Sequence, residues 1–350
     1  VMKHVRFAVM AEGFLRETVG AWPALGSAEV QSMLSNAVLP TVGGTKVVPR
    51  SGFEPRLIYL VGGHNFVTVN STVELYDPQA ALWTQRASMA DPRLVPGCVA
   101  LGGKLYAAGG YGAGSQLDTA EVYDPQANGW QPLANMTSRR SELGLAAVAG
   151  KIYAIGGSAG GLALDSVEAY DPQLGAWALV ASMSEKRCGH ASVVLDGKIY
   201  VMGGYEGDID DNGDDIIHDA GDGDLDMVEA YDPQADSWQR VASMPRDLYA
   251  HAAAAMGGKI YVTGGYNRGN TLNSACVYDP QADAWTQLAS MGTARRLHAS
   301  AVVGSKLYVF GGHGTENRLS TVEVYDPATD SWAQALELTS VRSSMMAIAL

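Results

Sequence analysis

The stretch from Lys151 to Met183 contains the unit from which most of this chain is built. It begins with K-I-Y-A-I-G-G (151–157) and, after a loop, continues with V-E-A-Y-D-P-Q-L-G-A-W-A-L-V-A-S-M (167–183). Near-copies of the unit occur six times, with glycine pairs that begin at residues 62, 109, 156, 203, 264 and 311. A Tyr-Asp-Pro follows each pair with the same spacings, which are 47 residues except for one of 61. A Trp stands seven residues after each of these tyrosines, so one period organises the chain from about residue 57 onward.

A repeat of roughly 50 residues made of short strands predicts an all-β propeller, in which each repeat forms one four-stranded blade. In the repeat, K-I-Y-A-I has the composition of a buried strand, and V-E-A-Y alternates as a half-buried strand does. Asp-Pro favours a tight turn before the strand that carries the Trp, and the apolar run before each Lys-Ile-Tyr supplies a fourth strand. We name these strands A to D from the centre outward, with the glycine pair at the end of strand B. Glycine at that place allows positive φ and close approach of another backbone.

The two ends of the repeat region predict how the ring of blades closes. Strands B, C and D occur six times, but no apolar A strand precedes Leu57. The chain ends with S-S-M-M-A-I-A-L (343–350), which has the pattern of an A strand. We therefore expect a six-bladed propeller in which this C-terminal strand completes blade 1 and removes an open sheet edge. The predicted blades span residues 57–94, 95–141, 142–188, 189–249, 250–296 and 297–342, with 343–350 added to the first.

The first 56 residues lack the repeat. Apolar residues at helical spacing predict a short α-helical segment within residues 1–40. Residues 41–56 contain five glycine and proline residues, as linkers often do: Gly43, Gly44, Pro49, Gly52 and Pro55.

The composition narrows the class of protein. A net charge of −13 argues against general nucleic-acid binding, and the sequence has no long apolar run or signal-peptide pattern. Cys98, Cys188 and Cys276 are odd in number and scattered, which predicts buried reduced thiols rather than a disulfide framework. We expect a cytoplasmic protein, with nuclear and cytoskeletal locations as alternatives, and neither a membrane nor a nucleic acid as partner.

An acidic insertion lengthens the fourth B–C loop by 14 residues. Ten carboxylates lie between Glu206 and Asp226, and without them the net charge of −13 would be −3. The simplest interpretation is a solvated loop. Two alternatives remain: the loop folds over the adjacent face and competes with a partner, or it binds calcium, because part of it matches a calcium-binding loop. The calcium candidates are Asp208, Asp210, Asn212, Asp214 and Asp219.

The succession of G-G, Y-D-P, W and M resembles the kelch repeat and covers roughly residues 51–350. Methionine stands six residues after five of the tryptophans, and Leu338 takes the sixth place. The N-terminal V-R-F, F-L-R-E-T-V and L-P are similar to the end of a BACK domain, which precedes kelch propellers in BTB-BACK-kelch proteins. This resemblance implies the substrate-recognition part of a cullin-3 ubiquitin ligase adaptor. The BTB domain that would contact cullin-3 is not within these 350 residues.

Two sets of loop residues are expected to share one face of the propeller, because strand direction alternates and the B–C and D–A loops leave the same side. One set follows the glycine pairs, and the other stands four residues after each Met, where five of six residues are Arg. Guanidinium groups with aromatic neighbours suit carboxylates, and the family resemblance implies a short acidic peptide as ligand. The alternative is that each Arg pairs with a carboxylate or carbonyl of its own or the next blade. The predicted partner-binding residues are Arg93, Arg140, Arg187, Arg295, Arg342, Tyr111, Tyr205, Tyr266, His64 and His313.

Catalysis is not predicted. Some kelch propellers are oxidases or sugar epimerases, and this class is kept as an alternative, as is an actin-associated scaffold. His190, His251 and His298 occupy equivalent places in successive blades, and equivalent atoms on separate blades are usually too far apart for one metal ion. We therefore expect them to line the channel, held by hydrogen bonds, and we expect no metal and no cofactor.

Overall fold

The computed structural model describes residues 57–65, 67–207 and 223–350, all of which lie in one compact unit, Pro55–Leu350. These residues form thirty strands and no helix, so none of them belongs to a helix that could cross a membrane. The predicted α-helical segment and linker, residues 1–56, lie outside the described residues, as does the calcium pattern of the insertion.

Six antiparallel four-stranded sheets make up the described part of the chain, as the repeat predicts. The A strands contact one another around the axis, and the D strands form the outer edges. In the order A to D, blade 1 contains Met346–Ala349, Ile58–Val61, Val73–Asp77 and Leu82–Arg86. Blade 2 contains Gly97–Leu101, Lys104–Ala108, Ala120–Asp124 and Gly129–Pro132. Blade 3 contains Gly144–Val148, Lys151–Ile155, Val167–Asp171 and Ala176–Val180. Blade 4 contains Ala191–Leu195, Lys198–Met202, Val228–Asp232 and Ser237–Val241. Blade 5 contains Ala252–Met256, Lys259–Thr263, Ala275–Asp279 and Ala284–Gln287. Blade 6 contains Ala299–Val303, Lys306–Phe310, Val322–Asp326 and Ser331–Gln334.

Short hairpins extend three of the B–C loops beyond the blades. They lie in blades 2, 3 and 5 and are formed by Tyr111–Gly112 with Ser115–Gln116, Ser158–Ala159 with Leu162–Ala163, and Tyr266–Asn267 with Asn270–Thr271.

The ring closes through the C-terminal strand. Met346–Ala349 pairs antiparallel with Ile58–Val61, and the register places Ile58 opposite Ala349 and Val61 opposite Met346. Blade 1 is thus assembled from both ends of the repeat region, which confirms the sequence-based prediction of closure.

Each glycine pair lies where a neighbouring blade approaches closely. The first glycine of every pair has φ between 51° and 67°, and a Cβ there would lie only 2.3–2.7 Å from a carbonyl oxygen of the next D–A loop. The second glycine donates its N–H to that same carbonyl, as Gly110 does to Arg140 at 2.9 Å. A side chain at the first position would force the blades apart, which explains why glycine recurs there.

The repeated Tyr and Trp residues pack across strands C and D of each blade. Their ring centroids lie 4.6–5.2 Å apart in all six blades. The tyrosines are buried, whereas the tryptophans are half-buried on the outer strand. Five tryptophans also bind the preceding blade, since each indole N–H donates to a backbone carbonyl there at 2.8–2.9 Å. In blade 1 the Trp83 indole N–H has no such partner among the described residues.

We expect removal of residues 343–350 to abolish cooperative thermal unfolding, because blade 1 loses its innermost strand and strand B gains an open edge. Ile348→Ala, a smaller change in the same strand, should cost about 2–5 kcal/mol, as other buried Ile-to-Ala changes do. Denaturant unfolding measures both effects. Val67→Ala at an exposed loop position is the control and should change stability by less than about 0.5 kcal/mol. A truncated protein with the melting curve of the full chain would contradict closure through this strand.

Candidate partner-binding face

The B–C and D–A loops lie side by side on one face, as predicted from strand direction. In every blade the residue after the glycine pair forms a backbone bridge with a residue of the D–A loop that leads into the same blade. The six bridges join His64 to Ser343, Tyr111 to Leu94, Ser158 to Ser141, Tyr205 to Cys188, Tyr266 to Tyr249, and His313 to Arg296. We call this surface the loop face.

A closed ring of backbone hydrogen bonds surrounds the axis on the loop face. Each D–A loop contributes one residue whose N–H donates to the carbonyl of the equivalent residue in the preceding blade, at 2.8–3.2 Å. All six residues have φ between 42° and 58°, a region that L-residues other than Gly, Asn and Asp rarely adopt. The ring residues are Val95, Glu142, Gly189, Ala250, Leu297 and Ser344. The strain of the five non-glycine residues is therefore offset by six hydrogen bonds that link consecutive blades.

The five repeated arginines do not form an exposed rim, and the prediction that they contact a partner is wrong. Their side chains are 0–5% exposed, and each guanidinium group pairs with the Glu of strand C in the blade that follows its loop, at 2.6–3.3 Å. The pairs are Arg93–Glu121, Arg140–Glu168, Arg187–Glu229, Arg295–Glu323 and Arg342–Glu74. The alternative weighed from the sequence, an inter-blade pairing with a carboxylate, is what the structure contains.

Arg140 illustrates how the pair joins two blades. Its Nη1 donates to the carbonyl oxygens of Gly156 and Ser166 at 2.9 and 3.0 Å, and its Nη2 donates to Glu168 at 2.7 Å. Glu168 in turn accepts the backbone N–H of Thr137 at 2.7 Å, from the loop that leaves blade 2. Burial lowers the pKa of Arg140, and the charge of Glu168 opposes that shift. The pair thus fixes the D–A loop to the end of the following sheet.

Blade 5 lacks this pair completely. Leu248 stands in the place of the Arg and Cys276 in that of the Glu, and the two side chains belong to one buried apolar cluster. Pro245 occupies the position whose backbone N–H would bind the missing carboxylate, and proline has no N–H to donate. The N–H donor, the carboxylate and the guanidinium are therefore replaced together, so neither charge of the pair is left buried alone.

Three tyrosines and one arginine form a contiguous cluster on the loop face of blades 4 to 6. The rings of Tyr205 and Tyr249 are 6.4 Å apart, and those of Tyr249 and Tyr266 meet edge to face at 5.6 Å. The guanidinium carbon of Arg296 lies 5.0 Å from the centre of the Tyr266 ring. Tyr205 and Tyr266 were predicted site residues. Tyr249 and Arg296 were not predicted, because the residue after the repeated Arg position differs from blade to blade and gives no repeated signal.

Two of the other predicted face residues lie in blades 1 and 2, away from this cluster, and the third, His313, is joined to it by its backbone bridge to Arg296. Tyr111 is half-buried in the blade 2 hairpin, and His64 is half-buried beside the closing strand. His313 is held close to its own loop, with Nδ1 2.8 Å from the carbonyl oxygen of Gly314. The loop of blade 6 also carries Arg318, whose Nε donates to the Ser343 hydroxyl at 2.9 Å.

Three buried histidines lie beneath the loop face. His190, His251 and His298 occupy the place taken by Pro96, Leu143 and Met345 in the other blades. The expectation that hydrogen bonds hold them is met only at His298, whose Nε2 lies 2.9 Å from the Thr263 hydroxyl. Among the described residues, neither ring nitrogen of His190 or His251 has a hydrogen-bond partner. Burial lowers the pKa of all three, that of His251 to about 4, so the rings are neutral at pH 7.

No metal centre occurs in the described part of the chain, where no group of three His, Cys, Asp or Glu residues has suitable geometry. The three cysteines are buried and unpaired, as expected. Burial raises the pKa of Cys98 and of Cys276 to about 12, which keeps both thiols protonated and unreactive.

Comparison with known proteins relates these blades to a described repeat. The Kelch motif matches residues 55–90, 92–137 and 139–184, and the KLHDC2/KLHL20/DRC7 Kelch-repeats domain matches residues 187–346. The chain is a kelch propeller. The solved structure described as "Structure of YjhT" superimposes with a TM-score of 0.63 at 18% identity, covering 73% of this chain and 87% of that one, which supports the fold alone.

Curated relatives match the kelch propeller over short segments. Kelch-like protein 4 of Homo sapiens is 51% identical over 51 residues, and Kelch-like protein 33 of Homo sapiens is 44% identical over 41 residues. Kelch-like protein 26 of Danio rerio is 43% identical over 44 residues. The matched segments cover 12–14% of this chain and 7–8% of the relatives.

We expect Arg140→Ala to destabilise the kelch propeller by about 3–5 kcal/mol, because Glu168 would remain buried without its cation. Copying blade 5 with Arg140→Leu and Glu168→Cys together should cost less than Arg140→Ala, and adding Thr137→Pro should recover more stability. Denaturant unfolding gives the coupling energy. Arg139→Ala, at the exposed neighbouring residue, is the control. If the loss of unfolding free energy in the double variant equalled the sum of the losses caused by Arg140→Leu and Glu168→Cys separately, the structural role of the pair would be contradicted.

The buried histidines should make stability depend on pH. Their folded-state pKa values lie below the unfolded value of about 6.5, so the unfolded chain binds more protons in acid. The free energy of unfolding should therefore be highest above pH 6.5 and decrease as the pH falls from 6.5 toward 4. For His251 alone the decrease approaches about 3 kcal/mol.

Replacing the three histidines with leucine, the residue at the equivalent place in blade 3, should flatten this dependence. Unfolding midpoints measured between pH 4 and 8 test the prediction. Equal slopes for the two proteins in this range would show that other groups control the acid sensitivity.

Proposed function

We propose that the loop face of blades 4 to 6 binds an acidic segment of another protein. The observation that carries the proposal is the environment of Arg296. Six arginines are buried in the described residues, and five of them pair with the repeated Glu. Arg296 is 5% exposed and contacts no carboxylate among the described residues.

The contacts of Arg296 orient its guanidinium group without neutralising it. Nη1 donates to the Thr271 hydroxyl at 2.6 Å, and the planar group lies over the Tyr266 ring. A desolvated guanidinium without a counter-charge is unfavourable, and a carboxylate that reaches it gains a charge-assisted, potentially bidentate contact. The geometry therefore favours an Asp or Glu side chain inserted from the loop face rather than a flat contact at the surface.

The neighbouring tyrosines supply the apolar part of such a site. Tyr205, Tyr249 and Tyr266 form a row of rigid aromatic rings, of which Tyr205 is half-buried and the other two are buried. Tyr and Arg are the residue types that dominate binding energy at protein interfaces. Leu297, a member of the backbone ring, lies against the same cluster. An acidic residue flanked by apolar side chains would match this combination.

A role in a ubiquitin ligase adaptor is the wider form of the proposal. It is supported by the matches to proteins named Kelch-like and by the BACK-like pattern at the N-terminus. In that role the propeller selects the substrate, and a BTB domain elsewhere in the assembly contacts cullin-3. Co-precipitation of cullin-3 with the protein expressed from its full reading frame tests this part. Co-sedimentation with actin filaments instead would favour the scaffold alternative.

A random peptide library displayed on phage tests the face directly. We expect the full chain to enrich peptides with Asp or Glu, with affinity that falls at high salt and on substitution of those residues by Asn or Gln. Arg296→Ala should weaken binding of a selected peptide roughly tenfold to hundredfold, the range for losing a buried charged contact. Arg296→Lys should restore only part of it.

Arg246→Ala is the matched control, because Arg246 is exposed and makes no ion pair among the described residues. It should leave both peptide affinity and melting temperature unchanged. Selection of peptides without acidic residues, or equal affinity of the Arg296→Ala protein, would overturn the proposed site.

A further inference from the structure

The outer strand of blade 3, Ala176–Val180, differs from the outer strands of the other five blades. Leu179 is 67% exposed and Leu174, in the preceding turn, is 78% exposed. The places equivalent to Leu179 are polar, charged or proline in the other blades: Gln85, Pro132, Arg240, Gln287 and Gln334. The places equivalent to Leu174 are small: Ala80, Ala127, Ala235, Ala282 and Thr329.

Nothing in this strand protects its open edge. From Pro172 to Ala181 the chain has no charged residue, and Gln173 is its single polar side chain. The strand lies at the end of its sheet, so alternate backbone N–H and C=O groups face outward without a neighbouring strand. Natural proteins usually protect such edges with charge or proline, as Arg86, Pro132 and Arg240 do in blades 1, 2 and 4.

We propose that strand Ala176–Val180 pairs antiparallel with the same strand of a second copy of this chain. Self-pairing centred on Ala178 places Trp177 opposite Leu179 of the partner, an aromatic–aliphatic combination that stabilises antiparallel pairs. The absence of charge matters because the chain carries −13 overall, and a charged strand opposite its own copy would face like charges directly.

Comparison of the six outer strands indicates that self-association stops at a dimer. A two-fold contact uses one strand from each copy and leaves no further strand of this kind, since the other outer strands are polar or protected. Five paired residues and the exposed leucines bury a small area, which places the contact among weak and reversible interfaces. Dimerisation is therefore expected to depend on protein concentration.

Sedimentation of the full chain over a roughly hundredfold range of concentration tests this inference. The wild-type protein should shift from monomer to dimer, and the combined variant Leu174→Ala and Leu179→Gln, which copies the other blades, should remain monomeric. Leu82→Gln, at an exposed leucine of the blade 1 outer strand, is the control and should dimerise like wild type. A wild-type chain that stays monomeric, or a blade 3 variant that dimerises as wild type does, would overturn the proposal.

Cross-linking tests the register independently. Cα atoms of directly opposed antiparallel residues lie about 4.5–5.5 Å apart, within the range that a disulfide spans. Ala178→Cys should therefore form a disulfide-linked dimer under mild oxidation, and the three native cysteines are buried and do not interfere. Thr286→Cys, the equivalent change in blade 5, should not. Equal cross-linking of the two variants would show random collision and contradict strand pairing in blade 3.

Discussion

Closure of six blades around one axis depends on the backbone ring at the loop face. The D–A loop that leads into each blade donates one N–H to the carbonyl of the equivalent loop residue of the preceding blade. The bond from Val95 N–H to the Ser344 carbonyl closes the ring of six. Such a ring forms only if every D–A loop turns by the same amount, which is why all six residues share a left-handed φ. The strain that valine, leucine and alanine carry in this conformation persists because the surrounding blades determine it.

The buried ion pairs hold those loops in place. Arg and Glu connect five of the six D–A loops to the end of the following sheet, while the carbonyl of the same Arg binds the glycine pair of the preceding blade. One residue therefore contacts two blades through its backbone and its side chain. Blade 5 achieves the same geometry with Leu248, Cys276 and Pro245, which shows that an apolar solution exists. Where that solution is used, the cluster of Tyr249, Tyr266 and Arg296 lies directly beside it on the loop face.

Much of the architecture was predictable from the sequence, because a repeat of constant length specifies the number of blades and the leftover strand specifies closure. The spacing of the repeat places the five arginines on the D–A loops, but it does not show whether their side chains point outward or into the fold. For this reason the sequence-based prediction placed them at the surface. A signal was present nevertheless. The Arg position and the Glu of V-E-x-Y occur together in five repeats and are absent together in the fifth, as expected of partners. Arg296 and the left-handed loop residues had no comparable signal, since their roles arise from contacts between blades.

The assembly of blade 1 from both ends of the repeat region has a consequence for biosynthesis. Strands B to D of this blade leave the ribosome first among the described strands, and their strand A, Met346–Ala349, leaves last. Until Met346–Ala349 has emerged from the ribosome, the Ile58–Val61 strand has one open edge and the ring cannot close. Closure of the disc therefore comes after synthesis of all six blades, and chaperones have access to that open edge until then.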